Sequence, residues 1–305
     1  MSASISKVLV TGGCGFIGSH ITDALIEKGC EVVVIDDLSA TSNSEFYYND
    51  RAQYYAYDIC DYEKIYPLFD GVYAVFHLAA RSRIQPSIRD PRTTTKVNVL
   101  GTCNVLQAAR EHLVDRVIYS STSSAYGLMN APPPALREDM PRDCLTPYSV
   151  TKCAGEDMCA MYTALFGLQT VILRYFNVYG PRQPLKGQYA PVIGLFLEQI
   201  KHNQPLTIVG NGRQRRDFTH VLDVVEANMA CLETTNRKVF GELFNVGTGV
   251  NTSILEITEL IGAPCEFLPP RRGEAAETLA NCDKIYKQLG WKAQIDFIDW
   301  LKKQL

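Results

Sequence analysis

The chain has 305 residues, 46% hydrophobic and 21% charged, the balance of a globular protein with room for one large domain or two unequal ones. A net charge of −3 gives no electrostatic footprint for nucleic acid, and no apolar run approaches the roughly 20 residues of a membrane span. Ten cysteines without CxxC or Cys/His spacing argue against zinc and against a disulfide framework.

The N-terminus runs directly into a strand, Lys7 to Thr11, with no signal peptide, and with the cysteine pattern this places the chain in the reducing cytoplasm. The turn Thr11-Gly12-Gly13-Cys14-Gly15-Phe16-Ile17-Gly18 follows. A helix is predicted from about Phe16 to Lys28, with Ile17, Ile21, Ala24 and Leu25 at helical spacing and Gly29 as C-cap. Glu31 to Asp37 reads as a strand ending in two acids. Tyr54–Asp58, Ala74–Leu78 and Arg116–Ser120 read as the third, fourth and fifth strands. A loop of three prolines, Pro132 to Pro134, precedes Thr146-Pro147, an N-cap followed by proline at the first helical position. Val171–Arg174 is a sixth strand. Continuous apolar strands separated by helices imply an α/β fold of Rossmann type, a doubly wound parallel sheet covered on both faces. Beyond Pro181 glycines and prolines break the rhythm, and a smaller C-terminal α/β substrate-binding lobe is expected to begin there.

Gly12, Gly15 and Gly18 follow a strand and open a helix, the context in which backbone approaches a pyrophosphate at a helix N-terminus. Asp36 ends the second strand, where a carboxylate binds both ribose hydroxyls and repels a 2′-phosphate, which favours NAD over NADP. Asp58 and Ile59 end the third strand; Asp58 either contacts adenine or caps a turn. Tyr148 and Lys152 stand at i and i+4 on one helix face. A free phenol titrates near 10, so a base at neutral pH needs a nearby cation, here Lys152 and a positive nicotinamide ring. The fifth strand ends in Ser120 to Ser124, and its Thr122 is placed to hydrogen-bond a reacting oxygen. The basic clusters Arg213–Arg216 and Arg271-Arg272 lie beside glycines and suit an anion.

Ordered motifs then carry a resemblance: TGGCGFIG (11–18), VIDDLS (34–39), FHLAA (76–80), NVLGT (98–102), YSSTSSAYG (119–127), PYSVTK (147–152), LRYFNVYGPRQ (173–183), RRDFTHVLD (215–223), FNVGTG (244–249) and RRGE (271–274). Over nearly its whole length the chain resembles the extended short-chain dehydrogenase/reductases, and within them the nucleotide-sugar 4-epimerases of the UDP-glucose 4-epimerase type. The resemblance implies NAD contacts from Gly12, Gly15, Phe16, Ile17, Asp36, Asp58, Ile59, Leu78, Ala79, Ala80, Asn98, Tyr148, Lys152 and Tyr175. It implies catalysis by Tyr148 with Thr122 and Lys152, and substrate contacts from Ser82, Arg83, Thr122, Asn177, Arg216, Arg271 and Thr278. It also implies an NAD-binding domain of residues 1–180 with a return segment at about 217–245, and a nucleotide-sugar lobe of 181–216 and 246–305.

The implied reaction is 4-epimerisation of a UDP-hexose through a transient 4-keto sugar. Related dehydratases carry adjacent Asp and Glu where this chain has Ser123 and Ser124, and related decarboxylases a glutamate at Ser124; two hydroxyls there favour epimerisation. Thr278 matches a position where a small residue admits an N-acetyl group, so UDP-GlcNAc/UDP-GalNAc is expected beside UDP-glucose/UDP-galactose. Glu274 and Asn281 depart from the family's usual aspartates and bear on the sugar. Rival readings are a UDP-sugar decarboxylase or dehydratase, a UDP-glucuronate epimerase and a non-catalytic NAD-binding regulator. The resemblance also implies a homodimer, formed by the helix around Val97 to Arg110 and the one carrying Tyr148.

Overall fold

A computed structural model describes residues 6–40, 45–127, 135–185, 190–271, 273 and 275–305. The triple-proline loop, Arg272 and Glu274 lie outside the described residues. In chain order, β1 (Lys7–Thr11), α1 (Phe16–Glu27), β2 (Glu31–Ile35) and β3 (Gln53–Tyr55) are followed by α2 (Tyr62–Ile65) and β4 (Val72–His77). The short helices α3 (Ile84–Arg89) and α4 (Pro91–Thr95) lead through a π-helical turn, Lys96–Gly101, into α5 (Thr102–Glu111). Next come β5 (Arg116–Thr122), the long α6 (Pro147–Phe166), β6 (Gln169–Tyr175) and β7 (Val178–Tyr179). The remainder comprises α7 (Val192–Lys201), β8 (Leu206–Val209), β9 (Arg215–Asp217), β10 (Thr219–His220), α8 (Val221–Glu233), β11 (Glu242–Val246), β12 (Asn251–Ser253), α9 (Ile254–Ile261), β13 (Cys265–Leu268), α10 (Asp283–Leu289) and α11 (Phe297–Lys302).

Seven strands form one all-parallel sheet in the order β11-β6-β5-β4-β1-β2-β3. Successive strand side chains point to opposite faces. Val8, Val10, Val32, Val34, Phe76 and Leu173 therefore pack against α1 and α8 through Ile21, Leu25, Val224 and Val225. Leu9, Val33, Ile35, Val75, Val117 and Ile172 pack on the other face against Val105 and Leu106 of α5 and Cys159 and Tyr162 of α6. This is the doubly wound Rossmann arrangement that continuous apolar strands imply. A separate core, built from Ile193, Phe196, Leu206, Ile208, Phe218, Ile254, Ile257, Phe297 and Leu301, joins the later elements. Among the described residues no helix is long and apolar enough to cross a membrane.

The third strand differs from expectation. It spans Gln53–Tyr55, so Asp58 stands beyond the ladder, where its Oδ1 accepts from the Cys60 N–H at 2.8 Å and closes a turn. Strand order reverses at β1, whose neighbours are β2 and β4, so a crevice opens beyond the carboxyl ends of the central strands.

Candidate active site

The crevice is a cavity of about 930 Å³. Gly12, Gly15, Phe16 and Ile17 enter it from the turn after β1, Asp36 from the end of β2, Asp58 and Ile59 from beyond β3. Leu78, Ala79, Ala80, Ser82 and Arg83 follow β4; Thr122 ends β5; Tyr148 and Lys152 project from α6; Tyr175 and Asn177 lie at and after the end of β6. Arg216, Arg271 and Thr278 complete the lining from later in the chain.

The glycine turn has steric reasons for its composition. Gly12 has φ +72°, and a Cβ there would stand 2.8 Å from the Ala79 nitrogen. A Cβ on Gly18 would meet the Gly12 carbonyl at 2.1 Å. Gly15 is the N-cap of α1 and supplies no side-chain acceptor, so the first-turn N–H groups of that helix face the cavity end of the turn. Asp36 accepts from the Cys14 N–H at 3.0 Å and the Leu38 N–H at 2.9 Å, which fixes its carboxylate beside the turn; burial pushes its pKa up and these two donors pull it back. Such a cradle fits a dinucleotide: close backbone for the pyrophosphate, and an acid for the ribose.

A buried chain of hydrogen bonds pins β1 to β4 at the switch point. The Thr11 hydroxyl accepts from the N–H groups of Leu78 and Ala79, both at 3.2 Å, so its proton is directed to His77 Nδ1 at 2.7 Å. His77 Nε2–H then faces Thr102 Oγ1 at 2.9 Å, and that hydroxyl donates to the Asn98 carbonyl at 2.7 Å. Burial and the Lys152 charge push the pKa of His77 down to about 3, keeping the ring neutral. Asn98 alone of the predicted site residues does not line the cavity. Its side chain accepts from the Arg81 N–H at 2.7 Å and donates to the Arg81 carbonyl and to Thr151 Oγ1. It ties the loop after β4 to α6 from behind.

Thr146 caps α6 in a reciprocal box with Ser149, as the Thr-Pro pair predicts. The Tyr148 N–H donates to Ser87 Oγ at 3.1 Å, so α3 is fastened to the first turn of α6. Lys152 Nζ sits 4.1 Å from the centroid of the Tyr119 ring. That approach requires Gly155, where a Cβ would lie 2.1 Å from the Tyr119 hydroxyl. Beneath them Glu156 accepts two bonds of 2.7 Å from Arg174 and one of 2.5 Å from Ser121, joining α6 to β5 and β6.

In the protein alone the Tyr148 phenol is held above its ordinary value, because burial outweighs the hydrogen bond it shares with Thr122 and the charge of Arg83. Arg83 is the cation whose charge pulls the phenol's pKa back down, while Lys152, one turn along α6, lies over the Tyr119 ring. Burial brings the Lys152 pKa down to about 8.

At the far end, Asn177 donates to Thr278 Oγ1 and to the Asp217 carbonyl, each at 3.0 Å. Asp217, in turn, accepts from the N–H groups of Thr248, Gly249 and Ala280 and from the Thr248 hydroxyl. Of the basic run 213–216, Arg215 is diverted to Glu256 at 2.9 Å and to Asn251, while Arg216 lines the cavity. Sequence reasoning missed Ser87, Glu156, Arg174 and Asp217. The alternation of strand residues was the signal available for separating Arg215 from Arg216.

The model of the NAD dependent epimerase/dehydratase family matches residues 8–247. The chain belongs to this family. Among its relatives is the UDP-glucose 4-epimerase of Mycolicibacterium smegmatis, 35% identical over 313 residues that cover 97% of this chain and 96% of the relative. A UDP-glucose 4-epimerase from Thermotoga maritima, solved with UDP-glucose, superposes with a TM-score of 0.90 at 34% identity, covering 97% of this chain and 96% of that one. The UDP-glucuronic acid 4-epimerase of Bacillus cereus, solved with UDP-glucuronic acid and NAD, gives 0.85 at 33% identity, covering 98% and 97%. The cofactor of this epimerase/dehydratase is NAD, in accord with the Gly12–Gly18 cradle and Asp36.

Proposed function

We propose that this chain catalyses 4-epimerisation of a UDP-hexose through a transient 4-ketone. The observation that carries the reading is Tyr148 and Thr122 in one cavity with the glycine cradle and with Arg216 and Arg271. The C4–H of a hexose is not acidic, so inversion requires oxidation first. Bound NAD supplies that oxidation and its reversal, as acceptor and then donor of the C4 hydride. Tyr148 takes the proton of the 4-hydroxyl while Thr122 holds the oxygen, and it returns that proton after the sugar has turned. Arg216 and Arg271 hold the diphosphate, so the sugar rotates without leaving. Ser123 and Ser124 line the same cavity and offer no carboxylate for elimination or further proton transfer.

In this reading residues 1–180 with 217–245 bind NAD, and 181–216 with 246–305 hold the nucleotide sugar. UDP-glucose/UDP-galactose and, through Thr278, UDP-GlcNAc/UDP-GalNAc are the first pairs to assay. A cytoplasmic location suits the free cysteines. The test is product analysis by NMR with UDP-glucose, UDP-GlcNAc and UDP-glucuronate, run without added NAD. The 4-epimer of at least one is expected; a pentose or a deoxy-ketose as sole product overturns the reading. Tyr148→Phe is expected to lower kcat by about 10³-fold or more while UDP-sugar affinity stays within a few-fold. Turnover at the parent rate in that variant removes the mechanism.

A further inference from the structure

Arg83 lines the cavity beside Tyr148 and takes no part in the proton transfer proposed above. Its backbone carbonyl accepts from the Ser87 N–H at 3.1 Å, and the Ser87 hydroxyl accepts from the Tyr148 N–H at 3.1 Å. One helical turn therefore links Arg83 to the backbone of the catalytic tyrosine, and both side chains open into the same cavity. Arg83 Nε is buried and has no hydrogen-bond partner. Among the described residues no Asp or Glu forms an ion pair with its guanidinium; Tyr148 is the group whose charge supports it, against the cost of burial. A guanidinium whose Nε is buried and which has no counter-ion is costly, and such groups mark places where an anion arrives.

The distribution of charge narrows what that anion is. The acids among the described lining residues are Asp36, Asp37 and Asp58, all from the segments following β2 and β3, at the adenosine end. Of the lining cations Arg81 donates to the Ser39 carbonyl at 3.4 Å, beside Asp36 and Asp37; the opposite end carries Arg83, Lys152, Arg216 and Arg271 and no carboxylate among those residues. A nucleoside diphosphate brings about two negative charges, which Arg216 and Arg271 match. Lys152 lies over Tyr119. Arg83 remains, beside the phenol that addresses the 4-hydroxyl, with Ser82, Ser123 and Ser124 lining the same end as hydroxyl donors. An anionic group facing it belongs on a carbon bonded to C4.

We infer that Arg83 binds a carboxylate at C6 of the hexose, so that a nucleotide hexuronate is the preferred substrate. The inference rests on the epimerase reading and names the sugar class within it. The guanidinium forms the charge-assisted, two-pronged contact that a planar carboxylate suits, and a neutral hydroxymethyl group leaves the cation unpaired.

The test is kcat/KM for UDP-glucuronate and UDP-glucose in the parent enzyme, Arg83→Met and Arg83→Lys. Dissociation constants for both sugars and for UDP alone are measured in the Tyr148→Phe background, where no turnover intervenes. The parent is expected to favour the uronate by at least about tenfold. Arg83→Met should lower the uronate-to-glucose ratio by about 100-fold, chiefly through KM, and Arg83→Lys should restore part of it. Retained NAD and an unchanged circular dichroism spectrum establish that the variants are folded. A parent that prefers neutral hexoses overturns the inference. So does an Arg83→Met variant that weakens uronate, glucose and UDP alike, which makes Arg83 a diphosphate contact. If no 4-epimer forms from any sugar while the affinity ratio still falls, the epimerase reading fails and the uronate assignment stands.

Discussion

Lys152 is 3% exposed, and burial brings its pKa to about 8 from an ordinary value near 10.5. The folded chain therefore releases this proton before the unfolded chain does. The cost of burying the charge is complete below pH 8 and is relieved as pH rises towards 10.5. Activity that needs the ammonium moves the other way: kcat/KM should fall along an alkaline limb with a midpoint near pH 8, read from a pH–rate profile. His77 is the opposite type of residue, a buried neutral imidazole with a pKa near 3 against an ordinary 6.5. Protons bind the unfolded chain first as pH drops from 6.5 towards 3, so melting temperature should decline through that window, with a shallower slope in His77→Gln. At this scale the glycine turn, Asp36, Thr122 and the Tyr148/Lys152 pair were legible because each is local chemistry. The Ser87–Tyr148 bond and the role of Asn98 behind the cavity were not, since they join segments 61 and 53 residues apart.

The helix α6 carries both Tyr148 and Lys152, and its start was readable as Thr146 followed by Pro147. Thr146→Ala should cost about 1 kcal/mol by chemical denaturation. Because the cap adjoins Tyr148, kcat should drop in the same variant by more than stability alone explains. β3 was misjudged at its end for a physical reason: the Asp58 side chain offers the Cys60 N–H an acceptor, and a turn replaces the ladder. The π-helical turn Lys96–Gly101 had no sequence signal, since one extra residue per turn changes neither composition nor apolar spacing enough to register. It presents Asn98 to Arg81 and Thr151 together.

Over the whole molecule, the sheet was the most legible feature, because alternate residues of each strand feed one of two cores. The expected homodimer is a proposal with a surface to support it: Val150, Met161 and Leu165 of α6 are exposed, as is Leu100 just before α5, and α5 and α6 are joined by the Tyr162–Gln107 hydrogen bond. Leu165→Asp should convert a dimer into a monomer in light scattering behind size exclusion, with the secondary structure unchanged. The position of β11 in the sheet bears on how the protein is made. β11 pairs with β6 and shares a core with α8, yet part of the other core, Ile193 to Phe218, is synthesised before it. On the ribosome the nucleotide fold stays unfinished until Val246 has emerged. During that interval the β6 edge and the apolar face awaiting α8 are open to other chains. Truncation before β11 should give aggregation rather than an isolated NAD-binding domain.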